Sequence, residues 1–204
     1  NSFTTLYYLG ISHYGDNWMY GAYDNFLLAH KKSPMDVNVL YYLGKSAARS
    51  SWKKEGVAYI KEAIEMVTPT DSVMARLYDG LVECYRYMND PYEKIEAMKK
   101  LYSYNKRYTL FYHIAYTYDR KKDYANAVHY YEKYMAQVPK DKQLALDDEG
   151  KPKPNVETLY QVAKRRVEKI KAEDFFRNGV HDDYFEPKIL KAVKQKADSL
   201  NRIK

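Results

Sequence analysis

The chain has 204 residues, of which 46% are hydrophobic, 16% aromatic and 30% charged, with only 8 glycines and 7 prolines. So few turn formers exclude a turn-rich all-β design, and the composition suits packed helices. The net charge of +7 is moderate, and its Lys and Arg are scattered instead of forming the single basic face of a nucleic-acid reader.

Apolar residues recur every three or four positions and predict helices at 3–14, 17–31, 37–49, 53–67, 72–87, 91–104, 108–120 and 124–138. Asp36 and Asp123 stand where N-caps are needed. Asp90-Pro91-Tyr92-Glu93 combines an N-cap, a proline at the first helical position and a glutamate placed for a capping box. Pro34, Pro69 and Pro139 close second helices, because proline cannot continue them. Residues 140–155, which include Asp147-Asp148-Glu149-Gly150-Lys151-Pro152-Lys153-Pro154, read as a polar linker or long loop. A long helix is expected at about 156–175. After Arg177-Asn178-Gly179 and an acidic turn, Pro187 opens a last helix to about 203, so that 156–204 form a helical cap.

Self-similarity organises these elements. Leu6-Tyr7-Tyr8-Leu9-Gly10 recurs unchanged as Leu40-Tyr41-Tyr42-Leu43-Gly44, an offset of 34 residues that Trp18 and Trp52 keep. The first unit reads Leu6, Leu9, Gly10, His13, Ala22, Phe26, Ala29 and Pro34; the second reads Leu40, Leu43, Gly44, Ala47, Gly56, Ile60, Ala63 and Pro69. The fourth carries Phe111, Ile114, Ala115, Tyr118, Ala127, Tyr131, Tyr134 and Pro139. The third, with Tyr78, Leu81, Val82, Tyr85, Lys94, Met98 and Leu101, departs most, since Lys94 takes a small residue's place. Small residues at Gly10, Gly44, Ala115 and Ala127 let two helices cross closely.

This pattern resembles the tetratricopeptide repeat family, with units at about 3–34, 37–69, 72–104 and 108–139. The resemblance implies an all-α, right-handed solenoid of antiparallel helix pairs with C-terminal capping helices. It also implies a non-catalytic scaffold or adaptor that holds a protein or an extended peptide on its concave side. The basic stretch Lys164 to Lys171 and the pair Phe175-Phe176 resemble exported bacterial proteins of this type, which favours a periplasmic or exported location over a cytoplasmic one. The chain starts at Asn1 without methionine, so a signal peptide or further repeats are expected to be able to precede it.

Chemistry-bearing motifs are missing. The histidines His13, His30, His113, His129 and His181 form no HExxH and no zinc spacing with a cysteine. His181-Asp182-Asp183 reads as a capping turn, and Asp147-Asp148-Glu149 lacks the alternating oxygens of an EF-hand. Cys84 is the sole cysteine and sits between apolar neighbours, which marks a buried structural thiol. No phosphate loop, dinucleotide fingerprint or nucleophile elbow occurs. No catalytic residue, cofactor or metal ligand is assigned.

The expected contact face is the side of each first helix left over from packing, recurring at i, i+4 and i+7 or i+8. It carries Tyr7, Ile11 and Tyr14, then Tyr41, Lys45 and Arg49, then Asp79, Glu83 and Arg86, and finally Tyr112, Tyr116 and Arg120. Tyrosines interleaved with Arg and Lys are enriched at interface hot spots, although the same tyrosines serve equally to pack one unit on the next. Some tetratricopeptide proteins grip a C-terminal carboxylate with Lys, Asn and Arg; the corresponding places here hold Tyr7, Ile11, Tyr42, Arg76 and Gly80, of which only Arg76 suits. Asp79 and Glu83 make the middle of the face acidic between basic flanks, as an extended peptide of mixed charge would require. Two other readings stand beside this one: a regulatory or substrate-presenting domain of a larger enzyme or receptor, and nucleic-acid binding through tyrosine stacking and basic residues.

Overall fold

In the computed structural model, residues 2–67, 70–147, 149–153 and 156–178 are described, the last with side chains to Phe175. They form α1 (Phe3–Gly15), α2 (Met19–Lys32), α3 (Val37–Ala48), α4 (Lys53–Met66), α5 (Asp71–Met88), α6 (Pro91–Asn105), α7 (Thr109–Arg120), α8 (Tyr124–Met135) and α9 (Leu159–Asn178). The fold is all-α among the described residues, and consecutive helices pack in pairs. Contacts group the chain into two units, Asn1–Arg107 and Tyr108–Lys204. Pro69, the Gly179 turn, His181-Asp182-Asp183 and the helix expected from Pro187 lie outside the described residues.

Local chemistry sets the helix ends. Asp36 accepts from the backbone N–H groups of Asn38 and Val39 at 2.9 and 3.0 Å. Asp90 accepts from Glu93 N–H at 3.2 Å and Asp123 from Asn126 N–H at 3.3 Å, so all three expected N-caps form. Ser2 and Thr70 cap α1 and α5 in the same way. At the far ends, Trp18 N–H reaches His13 C=O, Asp90 N–H reaches Tyr85 C=O and Asp123 N–H reaches Tyr118 C=O, at 2.8, 3.1 and 3.0 Å. These bonds span five residues and close Schellman-type turns. Each turn needs a left-handed residue, and Asn17, Asn89 and Lys122 supply it with φ of 61°, 57° and 61°. This explains why α2 starts at Met19 and not at 17: Asn17 is spent on ending α1.

In the first unit the core is a pair of adjoining clusters. One gathers Leu6, Ala22, Phe26, Ala29, Leu43 and Ala47 from α1, α2 and α3. The other gathers Leu40, Ile60, Ala63, Leu77, Leu81 and Cys84 from α3, α4 and α5. The close crossing expected at the small residues is tightest between Gly44 and Gly56. A Cβ on Gly56 would stand 2.7 Å from Gly44 C=O and 2.8 Å from Ala48 N, both backbone atoms that cannot swing aside. Lys94 does not loosen the third pair, because Ile95, Met98 and Leu101 carry the buried stripe of α6 and leave Lys94 half-exposed.

The second unit contains α7, α8 and α9. Leu110, Phe111, Ile114 and Ala115 of α7 are buried with Ala127, Tyr131 and Tyr134 of α8. Helix α9 lays Ala163, Val167 and Ile170, a stripe at i, i+4 and i+7, against α8. The stretch read as a linker folds back on itself. A 3-10 turn at Lys140–Lys142 leads into an antiparallel bridge between Leu146 and Pro152, with Gly150 left-handed at φ 79° in the bend. Thr158 Oγ1 donates to Gln143 C=O at 2.8 Å and pins the loop's exit.

Candidate functional site

The exposed side of α1, α3 and α5 brings the expected contact residues of the first unit together, but it uses them differently from one another. Tyr7 and Ile11 are half-buried against the first cluster, Tyr7 stacking on Phe3 and meeting Phe26 edge-on, both at 6.0 Å. Burial, followed by the neighbouring Tyr42, pushes the Tyr7 phenol above its ordinary range. Tyr41 is only 8% exposed and belongs to the second cluster, so its ring is a packing element. Tyr14 is half-buried, edge-on to Tyr42 at 5.5 Å.

Cations cover the rings that remain. Lys45 Nζ lies 5.5 Å from the Tyr14 centroid and 5.2 Å from that of Tyr41, and the Arg49 guanidinium lies 5.3 Å from Tyr14. Arg76 sits 4.3 Å over Tyr41, donates to Asn38 Oδ1 at 2.9 Å, and borders a cavity of about 210 Å³ beside Val37, Val73 and Leu77. Thus the one residue suited to gripping a terminal carboxylate is engaged within the fold.

Glu83 is the centre of the arrangement. Its carboxylate lies 2.8 Å from Lys45 Nζ, 3.9 Å from Arg49 and 4.0 Å from Arg86. Burial alone would lower the Lys45 pKa, but the hydrogen bonds to Glu83 and Tyr14 outweigh it and hold the ammonium charged well above the usual lysine range. The Arg49 guanidinium also donates to Asn17 Oδ1, so the left-handed residue that ends α1 fixes the position of a cation on α3. The acidic residue expected at the middle of this face thus stands among the expected basic flanks. One carboxylate is outnumbered by three cations, and Asp79 is paired with Arg107 at 3.8 Å.

The second unit shows another disposition. Tyr112 is half-buried and packs edge-on against Tyr131 and Tyr134 at 5.7 and 5.5 Å, while Tyr116 and Arg120 are exposed. Beside them Asp119, unnoticed in the sequence, receives Arg166 of α9 through two bonds of 2.7 Å and the Tyr131 hydroxyl at 3.4 Å. This bidentate hydrogen bond raises the Arg166 pKa above the ordinary guanidinium value. Nothing in the sequence pairs residues 47 positions apart, so only the fold reveals it.

The lone thiol behaves as expected. Cys84 is buried with Sγ 3.7 Å from Gly44 C=O, and burial followed by the nearby Glu83 pushes it up to about 12. His13 packs edge-on against Trp18 at 4.4 Å. Among the described residues no group of three His, Cys, Asp or Glu is placed to hold a metal ion, and no helix is long and apolar enough to cross a membrane.

No family model and no curated protein matches the chain in sequence. Solved structures do match its fold. A structure titled "Crystal structure of MamA" is 17% identical with a TM-score of 0.53, covering 93% of this chain and 97% of that one. One titled "Crystal structure of MamA protein" is 16% identical with the same TM-score, covering 88% and 96%. A third, "MamA MSR-1 C2", is 16% identical at 0.53 and covers 66% of this chain and 75% of its own. MamA is a tetratricopeptide repeat protein, and the fold of this chain is of that type.

Proposed function

We propose that this tetratricopeptide-type helical array is a protein-binding scaffold, and that the open side of α1, α3 and α5 is where it takes its partner. The observation that carries this reading is the cluster of Lys45, Arg49 and Arg86 around one carboxylate, set among tyrosines on α1 and α3. The cluster adds little stability at its rim, where the Arg86 pair is exposed and worth about 1 kcal/mol or less. It does provide charged, pre-positioned groups flanked by aromatic edges, which is how interface hot spots are built.

Charge reversal tests the reading without disturbing the core. Arg86 is exposed on α5, and Lys61 is exposed on α4, away from this side. Arg86→Glu should weaken capture of the natural partner by roughly tenfold, while Lys61→Glu leaves it within about twofold. Equal effects from both, or an effect of Lys61→Glu alone, would move the partner to another surface.

A further inference from the structure

The ligand that would fit this face follows from how Glu83 is held. Lys45 and Glu83 are only 15% and 18% exposed at the side chain, and Arg49 only 22%, so these groups sit in a recess on the face. Arg86, at 61%, stands at its rim. Arg49 is fixed from behind by Asn17, and Lys45 by the Tyr41 hydroxyl at 3.5 Å. The recess therefore contains two cations in set positions, with a third at its rim, against a single carboxylate, an excess of two positive charges at the site. A site built this way already binds one carboxylate, its own, and has the donors for more.

From this we infer that the recess formed by Tyr14, Lys45, Arg49, Glu83 and Arg86 binds an acidic peptide segment, with Glu83 acting as the internal carboxylate against which the ligand competes. The inference rests on the reading of this side as the partner-binding face and specifies the partner's chemistry. Closely spaced Asp or Glu side chains suit it: one carboxylate meets Arg86 at the rim and the next approaches Arg49 and Lys45 as Glu83 gives way. A single-stranded nucleic acid is the other polyanion to consider, and the rings argue against it. Stacking needs an open aromatic face. Here Tyr14 is covered by Lys45 and Arg49, Tyr41 by Lys45 and Arg76, and Tyr42 by Phe26, stacked at 5.5 Å. Amino-acid carboxylates need only the cations, which are presented.

The experiment uses the full chain and three fluorescein-labelled probes, octaglutamate, octalysine and octathymidylate, with anisotropy read at low and moderate salt. Octaglutamate should bind, and octalysine should not. Lys45→Gln with Arg49→Gln should weaken octaglutamate roughly tenfold, and Arg86→Gln, at an exposed position where folding is not at stake, roughly threefold. Glu83→Gln should tighten it roughly threefold, because the internal competitor is gone. A structural role for Glu83 would give the opposite sign, and weaker binding in Glu83→Gln overturns the competition mechanism. Preferential binding of octalysine overturns the acidic-ligand inference while leaving the partner-face reading intact. Octathymidylate binding that is tighter than octaglutamate and lost with the same substitutions would assign the recess to nucleic acid. Octaglutamate binding indifferent to all of these substitutions would place the acidic site off this face, whereas the reading of the face itself is decided separately by Arg86→Glu and Lys61→Glu on the natural partner.

Discussion

Both units of the molecule hold a carboxylate against basic side chains, and the two sites differ in how the charges are balanced. In the second unit both oxygens of Asp119 are taken by one guanidinium, Arg166, with the Tyr131 hydroxyl completing the set. The pair ties α9 to α7 and leaves no group over. In the first unit Glu83 meets Lys45 at 2.8 Å while Arg49 and Arg86 stand at 3.9 and 4.0 Å, too far to be saturated by it. A matched pair works as a fastener, whereas an outnumbered carboxylate leaves donors that something else can use. The comparison sets a structural site beside the proposed binding site.

The most severe way to break the second unit is through its close crossing. Ala127 is fully buried between α7 and α8, and Ala127→Glu should cost about 4 kcal/mol or more, seen as loss of the unit's cooperative melt. Removing the fastener comes next. Arg166→Ala strands Asp119, whose side chain is 11% exposed, and should cost about 2 kcal/mol in chemical denaturation. The matching change in the first unit, Glu83→Gln, should cost only about 1 kcal/mol, since the amide oxygen still accepts from Lys45 and Arg86 is solvated at the rim. Equal costs for the two would erase the distinction drawn between them. Smallest is a gain: Lys122 occupies a left-handed position at φ 61°, and Lys122→Gly should stabilise by about 0.5–1 kcal/mol.

The first unit also has an alkaline signature. Burial first, with nearby carboxylates or tyrosines adding to it, pushes Cys84, Tyr23 and Tyr85 up to about 12, from ordinary values of 9.0 for the thiol and 10.0 for the phenols. These groups ionise in the unfolded chain before they do in the folded one. Their contribution to stability is complete below about pH 9 and is lost as the pH rises towards 12. The midpoint of denaturation should accordingly fall steadily over that interval, and a flat profile would mean these groups are not shielded as described.

Much of the fold was legible because helix pairing is written in local residues. The apolar period, the aspartate caps and the 34-residue echo gave all eight paired helices to within a few positions, the largest shift being the end of α8 at Met135 and not 138. Identical segments nevertheless end in different surroundings. Leu9 and Leu43 sit in the same five-residue sequence, yet one is 40% exposed and the other fully buried. What decides is the neighbour: α2 lies on α3 and stacks Phe26 on Tyr42, while no described helix takes that place against α1. Around Leu9 the sequence had already adjusted, with Thr5, His13 and Asp16 standing where the next repeat has Val39, Ala47 and Ser50.

The candidate site was legible only in its membership. Spacing brought Tyr14, Lys45, Arg49, Glu83 and Arg86 to one side, because an i, i+4 rule needs no partner to be known. Which of them would be occupied could not be read, since it depends on contacts across helices. Tyr41 went into the core, Arg76 went to Asn38, and Glu83 was claimed by Lys45. Asn17 carried a signal that was missed, since an Asn just past a helix end favours the left-handed turn and here also anchors Arg49.

The most direct test is to map amide shifts on the isotope-labelled chain while octaglutamate is added. Shifts concentrated around Tyr14, Lys45, Arg49, Glu83 and Arg86 are the expected result, because these residues would exchange an internal carboxylate for an external one. Shifts confined to the basic stretch from Lys164 to Lys171, with those five residues unmoved, would show that general positive charge and not the built recess attracts the ligand, and would contradict the account.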